Sequence, residues 1–194
     1  MRVLAISGSL RRDSHNTQLL RAATELAPAG VEIELWEGLK AVPPYDEDDD
    51  IEPAPAAVTA LREAIAGADA VLFATPEYNS SIPGQLKNAL DWISRPLATN
   101  PVRNTPAAVV GASAGVFGAV WAQAELRKVL SAMGARVLDV ELAVGQAGAK
   151  FDEQGRLVDE DVRALLGEVV AELEAAARAR AEAAPVPAPV RSAA

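Results

Sequence analysis

The chain has 194 residues, of which 50% are hydrophobic and 23% charged, values that fit one globular domain with a substantial core. Its formal net charge of −9 argues against binding to nucleic acid or to an anionic membrane, because both need a basic patch. The absence of cysteine excludes disulfides, thiolate metal ligands and a cysteine nucleophile. No apolar run is long enough to span a membrane, so we expect a soluble, cytoplasmic protein.

Short apolar segments along the chain predict five β-strands, at residues 2–7, 31–36, 68–75, 106–113 and 135–140. Segments with helical spacing separate them, and a last helical segment begins near Asp159. Because the strands are apolar throughout and alternate with helices, they predict a parallel sheet covered on both faces. Right-handed crossovers then favour a flavodoxin-like, three-layer α/β sandwich with strand order 2-1-3-4-5.

Two segments fall outside this alternation of strands and helices. Residues 183–194 are low in complexity and rich in proline, so we expect no fixed structure there and one domain over residues 1–182. Residues 41–56 contain prolines and six acidic residues. They are interpreted as a solvated connection, with a loop that frames a site as the alternative.

The loop after the first strand, at residues 7–18, is rich in groups that can donate hydrogen bonds to phosphate. Arg11 and Arg12 add positive charge, and the loop runs into a helix N-terminus, where anions are favoured. We therefore predict a site for a phosphate monoester, while an ordinary helix cap at Ser14 or Asn16 is the simpler alternative. The candidate donors are Ser7, Ser9, Ser14, Asn16 and Thr17.

Other motifs found in such loops each require a residue that this chain lacks. The first loop lacks the lysine of a P-loop, and its single glycine, Gly8, excludes a dinucleotide fingerprint. Residues 111–115, GASAG, match the nucleophile elbow of hydrolases. That elbow needs a histidine base later in the chain, whereas the only histidine is His15, so hydrolysis is disfavoured. A metal site is poorly supported for the same lack of ligands.

The loops after the third and fourth strands suit a flat ring. Residues 75–84, TPEYNSSIPG, place the aromatic Tyr78 beside the polar Asn79, Ser80 and Ser81. A heterocycle with carbonyls and ring nitrogens on its edge needs such neighbours. Small residues at 111–123 would let the backbone approach that ring closely. A phosphate at the first loop and a ring beside the other two describe bound flavin mononucleotide, FMN.

Three segments in chain order also carry a family resemblance: GSLRRDSHNTQLL, TPEYNSSIPGQLKNALDW and GASAGVFGAVWAQAELRKVLSAMGA. Over roughly residues 2–175 the chain resembles the NADPH-dependent FMN reductases, a flavodoxin-like group that includes chromate reductases, quinone reductases and azoreductases. The resemblance implies tightly but non-covalently bound FMN, with NADPH or NADH as the hydride donor. No catalytic side chain is expected, because the flavin carries the chemistry.

The resemblance also implies positions for the cofactor contacts. It assigns the FMN phosphate to Ser9, Arg11, Ser14, Asn16 and Thr17, and the ring to Pro76, Glu77, Tyr78, Asn79, Ser80, Ser113 and Gly115. The PPYDEDD segment is similar to the family's acidic stretch near the substrate opening. One departure lies at residues 118–121, Gly-Ala-Val-Trp, where many relatives have Gly-Gly followed by Arg, and it affects the acceptor pocket and a subunit contact.

These implications favour an NAD(P)H oxidoreductase that reduces quinones or other small acceptors, including azo compounds, chromate or free flavin, by a ping-pong mechanism. A flavodoxin-type electron carrier with a protein partner is the alternative, since it would use the same fold and cofactor. The helix predicted at residues 83–97 has a wide apolar face, which predicts a homodimer or, as the resemblance implies, a homotetramer. Its apolar residues are Leu86, Leu90, Trp92, Ile93 and Leu97.

Overall fold

The structure is a computed structural model that describes residues 1–183. Its sheet is parallel and has the order β2-β1-β3-β4-β5, with β6 also paired to β4, which confirms the predicted flavodoxin-like class. The predicted unstructured tail lies outside the described residues except for Ala183, the last residue of the final helix. The strands are β1 Arg2–Ser7, β2 Glu32–Trp36, β3 Ala70–Thr75, β4 Pro106–Ala112, β5 Arg136–Val137 and β6 Ala143–Val144.

Within residues 1–183, five α-helices cover the two faces of the sheet. Because neighbouring residues of a strand point to opposite faces, the fully buried β3 and β4 feed two separate cores. One core packs Leu72 and Val110 with α1 and α5, and the other packs Phe73 and Val109 with α2, α3 and α4. The helices are α1 His15–Glu25, α2 Ala56–Ala66, α3 Gly84–Ile93, α4 Val120–Ala132 and α5 Glu160–Ala183.

The predicted fifth strand at 135–140 is interrupted. Val137 pairs with Ala107 and Ala143 pairs with Gly111, so the outer strand needs six steps where β4 needs four. The two extra residues bulge the edge strand away from β4, and pairing resumes at β6. The continuous strand was wrong because apolar alternation, which persists through the bulge, carries no information about hydrogen-bond register.

The acidic segment at 41–56 is held by α3. Gln85 donates from Nε2 to the carbonyls of Leu39 and Val42, both at 2.8 Å. Pro43 accepts at its carbonyl from Asn88 Nδ2 at 2.7 Å and from Trp92 Nε1 at 2.9 Å. The carboxylates at 46–49 remain exposed, as expected of a solvated connection.

The helix predicted at 83–97 ends at Ile93, a few residues before Pro96, which cannot continue a helix. Leu86, Leu90 and Ile93 are buried in the chain's own core. Trp92 is also fully buried, with its ring against Tyr45 at 5.0 Å between centroids. The apolar face that predicted a partner is therefore covered from within, and only Leu97, beyond the helix, stays exposed.

Candidate functional site

A cleft of about 350 Å³ lies where the loops after β1, β3 and β4 meet. This first cleft is at the carboxyl edge of the sheet, where ligands bind in doubly wound folds. No residue of 41–56 lines it, so the structure gives no support for that segment as its frame. Its lining residues are Ser9, Arg11, Ser14, His15, Asn16, Pro76, Glu77, Tyr78, Ala112, Ser113 and Ala114.

The N-terminus of α1 forms one end of the first cleft. Ser14 is the helix cap, with its hydroxyl oxygen accepting from the Thr17 N–H at 3.4 Å, as the simpler alternative predicted. The backbone N–H groups of His15 and Asn16 donate to no acceptor within residues 1–183. Two free amides at a helix N-terminus, beside the Ser9 hydroxyl and the Arg11 side chain, suit an anionic group.

Asn16 joins the first loop to the end of β4. Its side-chain Nδ2 donates to the Ala112 carbonyl, and its Oδ1 accepts from the Ala112 N–H, both at 2.9 Å. The side chain is buried, and both ends of its amide are used by one backbone unit. Asn16 can therefore offer an anion its backbone N–H, while its side chain holds two loops together.

Thr17 faces away from the first cleft. Its hydroxyl donates to Ser7 Oγ at 2.9 Å, and the residue lines a neighbouring cavity instead. The first loop thus separates its polar residues between two sides. Ser9, Ser14 and Arg11 line the first cleft, whereas Arg12 and Thr17 do not.

The loop after β3 forms a tight turn, and this turn accounts for the positions of Tyr78 and Asn79. Tyr78 and Ser81 exchange backbone hydrogen bonds of 3.0 and 3.1 Å, and between them Asn79 and Ser80 have φ values of 52° and 59°. Two left-handed residues closed by a bridge form a type I′ hairpin turn. The turn leaves Tyr78 half exposed and lining the cleft, while Asn79 and Ser80 lie at its tip outside the lining.

Glu77 connects this hairpin to the start of α4. Its Oε2 accepts from the backbone N–H groups of Trp121 at 3.0 Å and Ala122 at 3.2 Å. The residue at the cap position, Ala119, has no side chain that could do this. A carboxylate at a helix N-terminus satisfies free donors and is favoured by the helix dipole. Glu77 is thus a cap supplied by another loop, and it fixes the hairpin against α4.

The third loop is held from the bulged edge of the sheet, a support that sequence reasoning missed. Ser113 donates its N–H to the Val144 carbonyl at 3.0 Å, and Gln146 donates to the Gly115 carbonyl at 2.8 Å. Gly145 permits this approach, because a Cβ there would lie 2.0 Å from the Val116 carbonyl oxygen. The glycine itself was the available signal, although nothing local indicates which loop it faces.

The hydrolase alternative does not assemble. Ser113 and His15 both line the cleft, yet the Ser113 hydroxyl donates to the Gly115 carbonyl at 3.3 Å and His15 Nδ1 contacts Gln18 Oε1 at 2.9 Å. Ser113 is also not among the residues with positive φ, unlike a nucleophile on a strained elbow. Within residues 1–183 no group of three acidic or histidine side chains could hold a metal ion.

Comparisons with known proteins agree with this geometry. The sequence profile of the NADPH-dependent FMN reductases matches residues 1–149. The chain belongs to this family. It is 45% identical over 175 residues to an NAD(P)H-dependent FMN reductase of Pseudomonas aeruginosa, covering 90% of this chain and 94% of that one. It is 39% identical over 163 residues to a quinone reductase of Escherichia coli K12, covering 82% and 86%.

Solved structures of flavin-binding proteins share the fold of this chain. The flavoenzyme NAD(P)H:(acceptor) oxidoreductase FerB from Paracoccus denitrificans superposes with a TM-score of 0.83 and 35% identity, covering 92% of this chain and 98% of FerB. A flavodoxin variant from P. aeruginosa, at a TM-score of 0.59 and 18% identity, shares the fold alone.

The first cleft fits the family's cofactor on its own residues. Free amides at α1 suit the FMN phosphate, and the small Ala112, Ser113 and Ala114 leave room for backbone contact with a flat ring. Tyr78 adds an aromatic surface to the lining. The cleft volume is also within the usual range for a small-molecule site.

Proposed function

We propose that this protein is an FMN-dependent NAD(P)H oxidoreductase that reduces quinones or other small acceptors. The observation that carries the proposal is the pairing of a free helix N-terminus at α1 with the Tyr78 hairpin across one cleft. FMN, when bound here, would supply the two-electron chemistry that links oxidation of NAD(P)H to reduction of the acceptor. Azo compounds, chromate and free flavin are further acceptors of the same class.

The residues of this chain bind and orient in that reaction. The amides of His15 and Asn16, with Ser9, Ser14 and Arg11, would hold the phosphate. Tyr78 and the backbone of residues 113–114 would flank the ring, whereas Gly115, which the resemblance also assigned to the ring, does not line the cleft. Glu77 and Asn16 keep the three loops in register through their backbone contacts. Among the described residues that line the cleft, these side chains and amides would position the flavin and the reactants.

The test begins with the visible spectrum of the purified protein and titration of the flavin-free form with FMN and FAD. We expect FMN to bind more tightly than FAD, because the free amides of α1 with Ser9, Ser14 and Arg11 suit a terminal phosphate monoester rather than a pyrophosphate. Steady-state oxidation of NADH and NADPH with a quinone should then proceed without other proteins. A flavodoxin-type carrier would bind FMN equally well but would not consume nicotinamide unaided, and that outcome would overturn the proposal.

We also propose a homodimer that contacts through the groove between α3 and α4, with a tetramer as a pair of such dimers. The groove, of about 310 Å³, has the exposed Leu97 and the apolar Val129 and Met133 in its lining. Lys128 also lines the groove with Asp91, which pairs with Lys87 at 2.6 Å, so both signs of charge are present for a two-fold contact of this surface with itself. Light scattering should show a dimer and the Leu97→Asp variant a monomer; a monomeric parent protein would contradict this contact.

Within residues 1–183 no helix is both long and apolar enough to cross a bilayer. Action in the cytoplasm, where reduced nicotinamide dinucleotides are formed, completes the proposal. Fractionation of cells that express the full chain, with NAD(P)H oxidation followed in each fraction, tests that location.

A further inference from the structure

A second cleft lies on the other side of the first loop, beside the carboxyl ends of β1 and β2. Its volume is about 310 Å³, and it shares Ser9 and Arg11 with the first cleft, so the two are continuous around that loop. Apart from the shared Ser9 and Arg11, none of the FMN contacts inferred above lines it. Its other lining residues are Ser7, Leu10, Arg12, Thr17, Arg21, Leu35, Trp36, Glu37, Leu39 and Lys40.

Positive charge is concentrated at this cleft in a chain of net charge −9. Arg12, Arg21 and Lys40 are exposed, and none of them forms an ion pair within the part of the chain that the structure describes. Arg11 adds a fourth cation, and Glu37 is the single acid in the lining. Like charges brought together repel one another unless an anion joins them, so the arrangement favours a ligand with phosphate groups.

The walls of the second cleft suit a planar base. Leu35 and Leu39 supply apolar surface beside the half-buried indole of Trp36. That indole lies directly on Gly38, where a Cβ would come within 2.4 Å of Trp36 Cζ2. Because Gly38 has no side chain, the indole can pack directly against its backbone, and this contact fixes the position of the ring. An aromatic face next to several cations is a surface that a nucleotide recognises through its base and its phosphate together.

We propose that the second cleft binds the adenosine end of NADPH, with the 2′-phosphate between Arg21 and Lys40. This inference rests on the proposed function, which requires a nicotinamide dinucleotide at the first cleft. Because the two clefts share Ser9 and Arg11, the dinucleotide would pass from one cleft to the other beside these residues. Since the FMN phosphate uses the amides of α1, the dinucleotide needs cations of its own, and the second cleft supplies them.

The double variant Arg21→Gln/Lys40→Gln removes two of these charges without touching an FMN contact. The matched control, Arg103→Gln/Arg136→Gln, makes the same charge change at exposed residues beside the amino ends of β4 and β5, at the opposite edge of the sheet. Both are studied as FMN-loaded protein. The probes are adenosine 2′,5′-bisphosphate in calorimetric titrations, and NADPH and NADH in steady-state assays.

We expect the cleft variant to bind the bisphosphate at least ten-fold more weakly, and its kcat/KM ratio of NADPH over NADH to fall about ten-fold, since charged hydrogen bonds to the 2′-phosphate are lost. The control should stay within about two-fold, as expected for screened charges far from the ligand. Equal binding of the bisphosphate to parent and cleft variant, or equal losses with NADPH and NADH, would overturn the assignment.

A third variant, Gly38→Ala, tests the base without a change of charge. Displacement of the indole should weaken NADH and NADPH alike, because both carry the same adenine; unchanged KM values for both would refute the base contact. If the parent protein oxidises neither nicotinamide, the proposed function fails. The bisphosphate titration then still decides the cleft, because it needs no turnover.

Discussion

The two ends of the first cleft are built in different ways. At the α1 end the polar residues Ser14 and Asn16 are each 3% exposed, and their side chains bond to backbone inside the protein. At the hairpin end Tyr78 is 51% exposed and rests on a turn with two left-handed residues, joined to the body of the protein by Glu77. Buried bonds fix one end, and a single carboxylate fixes the other.

This difference sets which substitutions should matter most. A buried polar group that loses its partner leaves another group unsatisfied, and the cost falls on the whole fold. Truncation of an exposed side chain removes only the contact of that side chain with the ligand. Changes at the α1 end should therefore lower both stability and cofactor affinity, whereas loss of the exposed Tyr78 side chain at the hairpin end should lower affinity alone.

The largest effect is expected for Asn16→Ala. It leaves the N–H and carbonyl of the buried Ala112 without partners, which should lower the free energy of unfolding by about 2–4 kcal/mol. The first and third loops would also separate, so FMN affinity should fall more than about ten-fold. Urea denaturation and FMN fluorescence titration measure the two quantities.

Asn16→Asp sharpens the same experiment, because it keeps the oxygen that accepts from Ala112 and loses only the donor. Its loss of stability should include the repulsion between the new carboxylate oxygen and the Ala112 carbonyl. If Asn16→Ala were as stable as the parent protein, the contrast between the two ends would not hold.

Glu77→Ala tests the connection at the hairpin end. Removal of the cap from α4 should cost about 1 kcal/mol of stability and free the hairpin, with a further loss of FMN affinity. Glu77→Gln keeps an accepting oxygen and should restore most of both. Glu125→Ala, at an exposed site on the same helix, should change stability by less than about 0.5 kcal/mol. Similar losses for Glu77→Ala and Glu125→Ala would show that the cap has no special role.

Asn16 and Glu77 show which features of the site the sequence could not predict. The strand order, the three loops and the helix cap at Ser14 all follow from local patterns of apolar and polar residues. The partner of the Asn16 side chain lies 96 positions away and that of Glu77 lies 44 away. No local pattern distinguishes a side chain that meets a ligand from one that meets such a distant backbone group.

The apolar face of a helix is also insufficient to predict what covers that face. Trp92 was interpreted as part of a surface for a second subunit, because its position on α3 widened the apolar face. The structure covers it with residues 43–45, which lie far from it in the chain and belong to the segment rich in proline and acidic residues.

Neighbours in the sequence can also lie in different sites. Arg11 and Arg12 are adjacent in sequence, yet Arg12 lines only the second cleft.

Tyr78→Ala should have a smaller effect, confined to the ligand. We expect FMN affinity to fall about ten-fold, or 1–2 kcal/mol, with unchanged stability, because the side chain is already half exposed. Turnover at saturating FMN should fall less than about ten-fold, since no proton passes through this residue. Ser113→Ala, at another residue of the cleft lining, should behave alike. A variant that holds FMN normally yet loses about a thousand-fold in turnover would reveal a catalytic side chain.

The smallest effect is expected at the tip of the hairpin, where the backbone itself can be tested. Ser80 has a φ of 59°, a conformation that costs an ordinary residue about 1–2 kcal/mol and glycine almost nothing. Ser80→Gly removes that cost but adds about 0.4–1 kcal/mol of chain entropy to the unfolded state, so the net gain in stability should be about 0.5 kcal/mol. Ser81→Gly adds the same entropy at a residue that is not left-handed, and should lower stability by about 0.5–1 kcal/mol. Urea midpoints for the two single variants therefore shift in opposite directions, although the chemical change is identical. A decrease for both would mean that the turn is not type I′ in solution, and the position of Tyr78 would then need another cause.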